Sequence, residues 1–160
     1  MQKIRLIAMG RLTEAPLRAS AELYQKRLSR FCSLSVAEPK PEPLPADPSP
    51  AEIERALGKE GARILDEIPP RAAAVALCVE GKSMTSPAFA AWLDRTFSAG
   101  AGEICFLIGS SHGLSPEVKA RADLRLSLSA MTFPHELFRV MLLEQLYRAY
   151  EINTGGKYHK

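Results

Sequence analysis

The chain has 160 residues, of which 46% are hydrophobic and 24% are charged, and its formal net charge is +3. This length predicts one domain, residues 1–160, with a substantial core, and this composition is typical of a globular protein rather than a disordered one. No apolar run approaches the roughly 20 residues needed to span a bilayer. No cleavable signal peptide follows the first ten residues, so a cytoplasmic protein with no membrane partner is expected.

Strands and helices are predicted to alternate in the first half of the chain. The predicted elements are a strand at 3–9, a helix at 14–31, a short strand at 34–37 and a helix from Ser49 to about 68. That helix begins with Ser49, Pro50 and Glu52, which together form a helix-start signature. Residues 38–50 contain six prolines. Because proline fits neither a helix interior nor an interior strand, an extended, mobile loop is predicted there.

The second half continues the alternation. Strands are predicted at 73–79, 104–108 and 124–128, and helices at 86–99, 115–122 and from 137 onward. The first two strands are unbroken apolar runs, as expected for a sheet covered on both faces. The third alternates Leu124, Leu126 and Leu128 with polar residues, and the spacing then becomes helical. The whole pattern predicts an α/β, three-layer sandwich around a mostly parallel sheet.

Three predicted strand ends carry loops suited to ligand binding: residues 77–81, the glycine loop 109–113 and the hydroxyl-containing turn 128–134. Glycine lets the backbone turn and approach a ligand closely. In open α/β sheets, ligands bind beyond the carboxyl ends of the strands. Three tight turns without a common ligand are the alternative, but two glycine loops and one hydroxyl-rich loop favour a shared pocket.

Several other sites are poorly supported. Glu80-Gly81-Lys82-Ser83 is similar to the end of a phosphate-binding loop, but the first glycine of that motif would fall at Ala76, inside a strand. Gly81 is therefore expected to end the strand. The three histidines lack metal-ligand spacing, no CxxC pair exists, and no HExxH or G-x-S-x-G motif occurs. Neither a metal site nor a catalytic triad is predicted.

The first 30 residues are basic, with seven Lys or Arg residues against two Glu. Arg11, Arg18, Lys26 and Arg30 recur at spacings compatible with part of one helix surface. This surface is either a contact for phosphate groups or an ordinary solvated helix face.

A family resemblance is carried by the segment LSLSAMTFPHELFRVMLLEQLYRAYEI and by the terminal Lys157-Tyr158-His159-Lys160. With the start IRLIAMGRL, the pair Glu60-Gly61 and the glycine loop, it extends over essentially the whole chain. In these features the chain resembles the ribosomal large-subunit pseudouridine-N3-methyltransferase family of the SPOUT superfamily. The family loop usually reads IGG, and here Ser110 replaces the second glycine. Serine would be strained there if the position required positive φ.

The resemblance implies a fold, a cofactor and a partner. The fold is an α/β knot, with the carboxyl-terminal region passing through a loop as a trefoil knot, and the methyl donor is S-adenosylmethionine. A homodimer is also implied, with the wide apolar face of the last helix (Phe138, Met141, Leu142 and Leu146) as a candidate interface. Matched by position, the implied donor contacts are Leu77, Gly109, Leu128, Ser129, Ala130, Met131, Thr132 and Phe133.

The implied reaction is methylation of N3 of a pseudouridine in a hairpin loop of 23S ribosomal RNA, with the assembled ribosome as substrate. Because the N3 proton must be lost, a base or an anion-stabilising group is needed. The candidates are His135, Arg139, Tyr158 and His159. Arg139 would stabilise negative charge on the base, Tyr158 would stack on it and His159 would accept its proton.

Alternatives stay open at this point. Tyr158 and His159 follow two glycines, so the terminus is either functional or a frayed tail. The chain as a whole could also be a SPOUT-like RNA-binding protein without catalysis, or an α/β regulator that binds a small ligand.

Overall fold

The computed structural model describes residues 1–160 and contains five strands and five helices in strict alternation. Every predicted element is present, with bounds that differ from the prediction by a few residues. In chain order the elements are β1 (Gln2–Ala8), α1 (Ala15–Leu28), β2 (Cys32–Ala37), α2 (Pro50–Asp66), β3 (Ala73–Ser83), α3 (Ser86–Ser98), β4 (Glu103–Ile108), α4 (Pro116–Arg121), β5 (Leu124–Ser127) and α5 (His135–Asn153).

The strands form one parallel sheet in the order β2-β1-β4-β3-β5. Side chains of the central strands point alternately to the two faces of the sheet. In β1, Leu6 and Ile7 belong to different core clusters, and in β4 the same holds for Phe106 and Leu107. All four are fully buried. The unbroken apolar runs therefore arise because both faces of the sheet are covered.

Helices α1, α3 and α5 pack on the larger core cluster, and α2 and α4 pack on the smaller one. The predicted three-layer α/β sandwich is thus confirmed, and the sheet is wholly parallel. The path of β5 and α5 is consistent with the predicted trefoil knot, which stays a prediction. None of the helices combines the length and the apolar composition that crossing a membrane requires.

The start of α2 has the predicted capping box. The Ser49 hydroxyl accepts a hydrogen bond from the Glu52 backbone N–H (3.2 Å), and the Glu52 carboxylate accepts one from the Ser49 N–H (2.7 Å). Such a cap stabilises a helix by about 1 kcal/mol. It fixes where α2 begins and therefore where the proline-rich segment, residues 38–49, ends.

The proline-rich segment is extended, as predicted, but it is anchored along α2. The Gly10 N–H donates to the Pro39 carbonyl (2.9 Å). The Arg63 guanidinium donates to the Lys40 carbonyl (2.8 Å) and to the Glu42 carboxylate (2.6 Å). The predicted mobility disagrees with these contacts, because they attach the segment to the loop after β1 and to α2.

Candidate functional site

The carboxyl ends of β3, β4 and β5 meet around one cavity of about 720 Å³. The cavity is lined from all three predicted loops, by residues 77–80, 108–114, and 126–128 with 132–135, and also by Lys119 and Phe138. The prediction that these strand ends share a pocket is therefore confirmed. The volume falls within the range of small-molecule and cofactor sites.

An irregularity in β3 shapes one wall of this cavity. Leu77 and Lys82 both pair with Leu126 of β5, so the residues between them bulge out of the ladder. Three of these bulged residues, 78–80, line the cavity. The expectation that Gly81 ends the strand is wrong, since β3 continues to Ser83. A Cβ at Gly81 would lie 2.7–2.8 Å from backbone atoms of β5, so glycine is required for close strand approach.

The two glycines of the glycine loop are needed for different reasons. A Cβ at Gly109 would lie only 2.1 Å from the Gly113 carbonyl oxygen, so this position needs glycine for space. Gly113 has φ +85°, where glycine is favoured conformationally. No residue other than glycine has positive φ, so Ser110 is not strained. Its carbonyl accepts from the Gly113 N–H (2.9 Å) and closes the turn.

The cavity combines apolar walls with a few charged or titratable groups. Phe133 and Phe138 meet edge to face with ring centroids 5.7 Å apart. Lys119 donates a hydrogen bond to Glu80 and thereby holds the pKa of that carboxyl below its usual range. Burial, followed by the charge of Glu80, raises the pKa of the Cys78 thiol. The cavity therefore contains one compensated ion pair and a thiol that stays protonated.

Five of the eight predicted donor contacts line the cavity. These five are Leu77, Gly109, Leu128, Thr132 and Phe133. The other three, Ser129, Ala130 and Met131, belong to the same turn but do not line it. The Ser129 hydroxyl instead accepts from the Met131 N–H (3.0 Å) and shapes the turn, while the Met131 side chain is 72% exposed. Donor binding by all eight residues stays a prediction.

Only one of the four predicted catalytic residues, His135, lines the cavity. It is half-buried at the first position of α5. His112, in the glycine loop, also lines the cavity and was not predicted as a catalytic residue. Its position between two glycines beyond a buried strand is the signal that could have identified it.

Arg139 is 2% exposed and does not line the cavity. Its Nη1 donates to the Glu38 carboxylate (2.5 Å) and its Nη2 donates to the Gly10 carbonyl (2.6 Å). Its guanidinium therefore connects α5 to the loop after β1 and to the start of the proline-rich segment. Contact between Arg139 and a substrate base stays a prediction. The structure shows that the guanidinium holds these three parts of the chain together.

Tyr158 and His159 lie along α5 and do not line the cavity of their own chain. The Tyr158 hydroxyl donates to Glu144 (3.0 Å), and its ring meets the Tyr147 ring at 4.8 Å between centroids. His159 Nδ1 lies 3.3 Å from Nη1 of Arg148. Burial, with hydrogen bonds to Tyr24 and Glu144, raises the pKa of Tyr158, so its phenol stays neutral. Tyr158 is therefore packed against α5, whereas His159 is exposed.

A second, apolar groove of about 460 Å³ lies beside the cavity. Half of its lining comes from α3 and α5, with Phe89, Val140 and Met141 among its apolar residues, and it shares residues 126–128 with the cavity. Two residues predicted to form a dimer face, Leu142 and Leu146, are 0% exposed. That part of the interface prediction is wrong, because these side chains pack in the core of their own chain.

The four basic residues predicted to form one surface have different environments. Arg30 forms an ion pair with the buried Glu151, and Arg18 donates to the Leu12 carbonyl (3.1 Å). Arg11 and Lys26 are exposed and form no ion pair. No group of three or more His, Cys, Asp or Glu side chains is placed to hold a metal ion.

The parallel α/β sandwich of this chain has a counterpart among solved structures. A probable methylase family protein from Haemophilus influenzae Rd KW20 shares the fold, with a TM-score of 0.55 over 99% of this chain and 71% of that chain, at 12% identity. Residues 2–159 match a family described as predicted SPOUT methyltransferases. The chain belongs to the SPOUT methyltransferase family.

Close relatives share both sequence and length with this chain. A protein from Exiguobacterium sibiricum is 45% identical over 99% of each chain. One from Clostridioides difficile is 42% identical over 98% of this chain and 99% of its own, and one from Desulfitobacterium hafniense is 42% identical over the full length of both. All three are named ribosomal RNA large subunit methyltransferase H.

Proposed function

We propose that this protein is an S-adenosylmethionine-dependent methyltransferase of large-subunit ribosomal RNA. Its substrate is N3 of a pseudouridine in a hairpin loop of 23S ribosomal RNA, presented by the assembled ribosome in the cytoplasm. The observation that supports this most directly is the single cavity that three strand-end loops build in a SPOUT chain. The names of the relatives support the choice of RNA.

The residues of the cavity fit a nucleoside-containing sulfonium donor. Leu77, Leu128 and Phe133 provide apolar walls for the flat base, and the glycine loop provides backbone groups for the polar atoms. Gly109 has no room for a side chain because the Gly113 carbonyl lies beside it, so the loop forms a tight turn whose backbone groups can approach a ligand closely. When bound, S-adenosylmethionine supplies an already activated methyl group.

The protein then contributes alignment and proton removal. Bound S-adenosylmethionine would supply the methyl group to N3 of the pseudouridine, and a proton acceptor of the protein would take the N3 proton. Holding the two reacting atoms in line accounts for a large share of such a rate enhancement. His135 is the proposed proton acceptor within the chain's own cavity, because it is the one predicted catalytic group that lines it.

We further propose that the active protein is a homodimer in which the tail of one copy reaches the cavity of the other. Tyr158 and His159 do not line the cavity of their own chain. The apolar groove beside the cavity, which includes Val140 and Met141, gives a second copy a surface continuous with the site. Sedimentation of the purified protein at micromolar concentration tests this, and a monomer would contradict it.

Two measurements test the activity. S-adenosylmethionine at a hundred times its Kd should stabilise the fold by about 2.7 kcal/mol through mass action, which is visible as a higher Tm. Mass spectrometry of ribosomal RNA from cells with and without the gene should show loss of one methyl group on a pseudouridine of the large-subunit RNA. An unchanged Tm together with unchanged RNA would overturn the proposal.

A further inference from the structure

Glu60 is a buried carboxylate beside the glycine loop. It lies on α2, is 3% exposed, and belongs to none of the ion pairs of the structure. Its Oε2 accepts a hydrogen bond from the Ser110 hydroxyl (2.7 Å), and its Oε1 accepts one from the Glu42 backbone N–H (3.1 Å). Burying a carboxylate away from water costs free energy unless hydrogen bonds satisfy its oxygens. Both hydrogen bonds therefore stabilise the buried position of Glu60.

The two hydrogen bonds of Glu60 connect parts of the chain that are otherwise far apart in sequence. Ser110 lies 50 residues after Glu60 and lines the cavity, whereas Glu42 lies 18 residues before it in the proline-rich segment. One buried side chain therefore bridges the loop that shapes the cavity and a segment that lies outside the cavity.

Close packing fixes the position of Glu60 relative to the far end of the same loop. A Cβ at Gly61, the next residue, would lie 2.3 Å from the Ser115 hydroxyl oxygen. Ser115 follows the glycine loop and caps α4 by accepting from the Val118 N–H (3.3 Å). Helix α2 thus contacts the start of α4 while Glu60 holds Ser110, so the loop is restrained at both ends.

We propose that Glu60 is a positioning residue for the methyl donor. By accepting from Ser110 it holds the glycine loop in the conformation that lines the cavity, and by accepting from Glu42 it couples that loop to the proline-rich segment. This inference rests on the proposed function, because it takes the donor to bind in this cavity. Since coupling between two sites is reciprocal, donor binding should also order the proline-rich segment.

The test uses the full-length protein and S-adenosylmethionine, with donor affinity measured by isothermal titration calorimetry. Ser110→Ala removes the hydroxyl and leaves a buried acceptor unsatisfied, which should raise the Kd about tenfold. Glu60→Gln should stay within about threefold of wild type, because the amide offers both an acceptor for Glu42 and a donor for Ser110. Ser29→Ala is the matched control, since its hydroxyl donates to the Lys26 carbonyl (2.7 Å) outside the cavity lining.

Hydrogen–deuterium exchange of residues 38–49 provides a readout that a merely structural role would not change. Donor binding should slow amide exchange in this segment in the wild type, and the slowing should be lost in Ser110→Ala. A wild-type-like Kd and wild-type-like protection in Ser110→Ala would overturn the inference while leaving the proposed function intact. A wild type that binds no donor in calorimetry would overturn both.

Discussion

A carboxylate oxygen of Glu38 lies 2.5 Å from Nη1 of Arg139, across 101 residues of chain. The Arg139 side chain is 3% exposed, whereas that of Glu38 is 32% exposed. The same guanidinium donates to the Gly10 carbonyl (2.6 Å). The Arg139 guanidinium therefore joins α5 to the loop after β1 and to the proline-rich segment.

The unequal burial of this pair predicts unequal effects of removing its two members. Glu38→Ala leaves a buried guanidinium without an anion and should lower the free energy of unfolding by about 3 kcal/mol. Arg139→Met leaves a partly hydrated carboxylate and refills most of the volume, so it should cost about 1–2 kcal/mol. Urea denaturation measures both, with the exposed Arg11→Met as control. A larger loss for Arg139→Met than for Glu38→Ala would refute this account.

Alanine substitutions at two glycines should change the free energy of unfolding in opposite directions. A Cβ at Gly109 would meet the Gly113 carbonyl, whereas one at Gly58, inside α2, would meet nothing within 4 Å. Gly109→Ala should lower the free energy of unfolding by about 2 kcal/mol or more, because the loop backbone must move. Gly58→Ala should raise it by about 0.5–1 kcal/mol, because alanine favours the helix.

Denaturant unfolding with and without S-adenosylmethionine checks the glycine pair. Gly58→Ala should keep the wild-type stabilisation by donor, and Gly109→Ala should lose it. If Gly109→Ala retained both stability and donor binding, the close approach of the Gly109 and Gly113 backbones would be required for neither.

The order of elements, the three layers and the shared cavity could be predicted from the sequence. They follow from the spacing of apolar residues along each element and from the loop residues that interrupt it. The end of β3 was harder to predict. Its apolar run stops at Val79, yet pairing continues to Ser83, because Gly81 permits a close backbone approach that hydrophobicity does not encode. Bulged pairing of this kind depends on the partner strand.

Roles that depend on distant partners could not be read from local pattern either. Arg139 is a catalytic candidate from the sequence because the reaction that the resemblance implies needs a group that stabilises negative charge. Its actual partners lie more than 100 residues away. Likewise, Leu142 and Leu146 look like an interface on a helical projection, but α1 and α3 already cover them. Which face a helix buries is decided by its neighbours.

The buried thiol of Cys105 predicts a loss of stability at alkaline pH. Burial, followed by the charge of Glu103, raises its pKa from the ordinary 9.0 to about 11. Above pH 9 the unfolded chain releases this proton while the folded chain retains it, so stability falls as pH rises from 9 to 11. The loss amounts to about 2–3 kcal/mol for this thiol.

Cys105→Ala should remove that part of the pH dependence. The difference in free energy of unfolding between wild type and Cys105→Ala should shrink by about 2 kcal/mol between pH 8 and pH 11. Ser29→Ala is the control, since it removes a hydroxyl that donates to the Lys26 carbonyl and no group that titrates in this range. Parallel stability curves for wild type and Cys105→Ala would show that the thiol does not titrate differently in the two states.

The position of the carboxyl-terminal tail predicts that donor binding and methylation can be separated. Neither Tyr158 nor His159 lines the cavity of its own chain, so truncation after Gly156 should leave the Kd for S-adenosylmethionine within about twofold of wild type. The same truncation should abolish methylation of ribosomes, because the tail supplies groups for the base. Deletion of Lys160 alone is the control and should change neither. Calorimetry and a ribosome methylation assay measure the two effects, and equal loss of both would mean that the tail supports the donor cavity rather than the reaction.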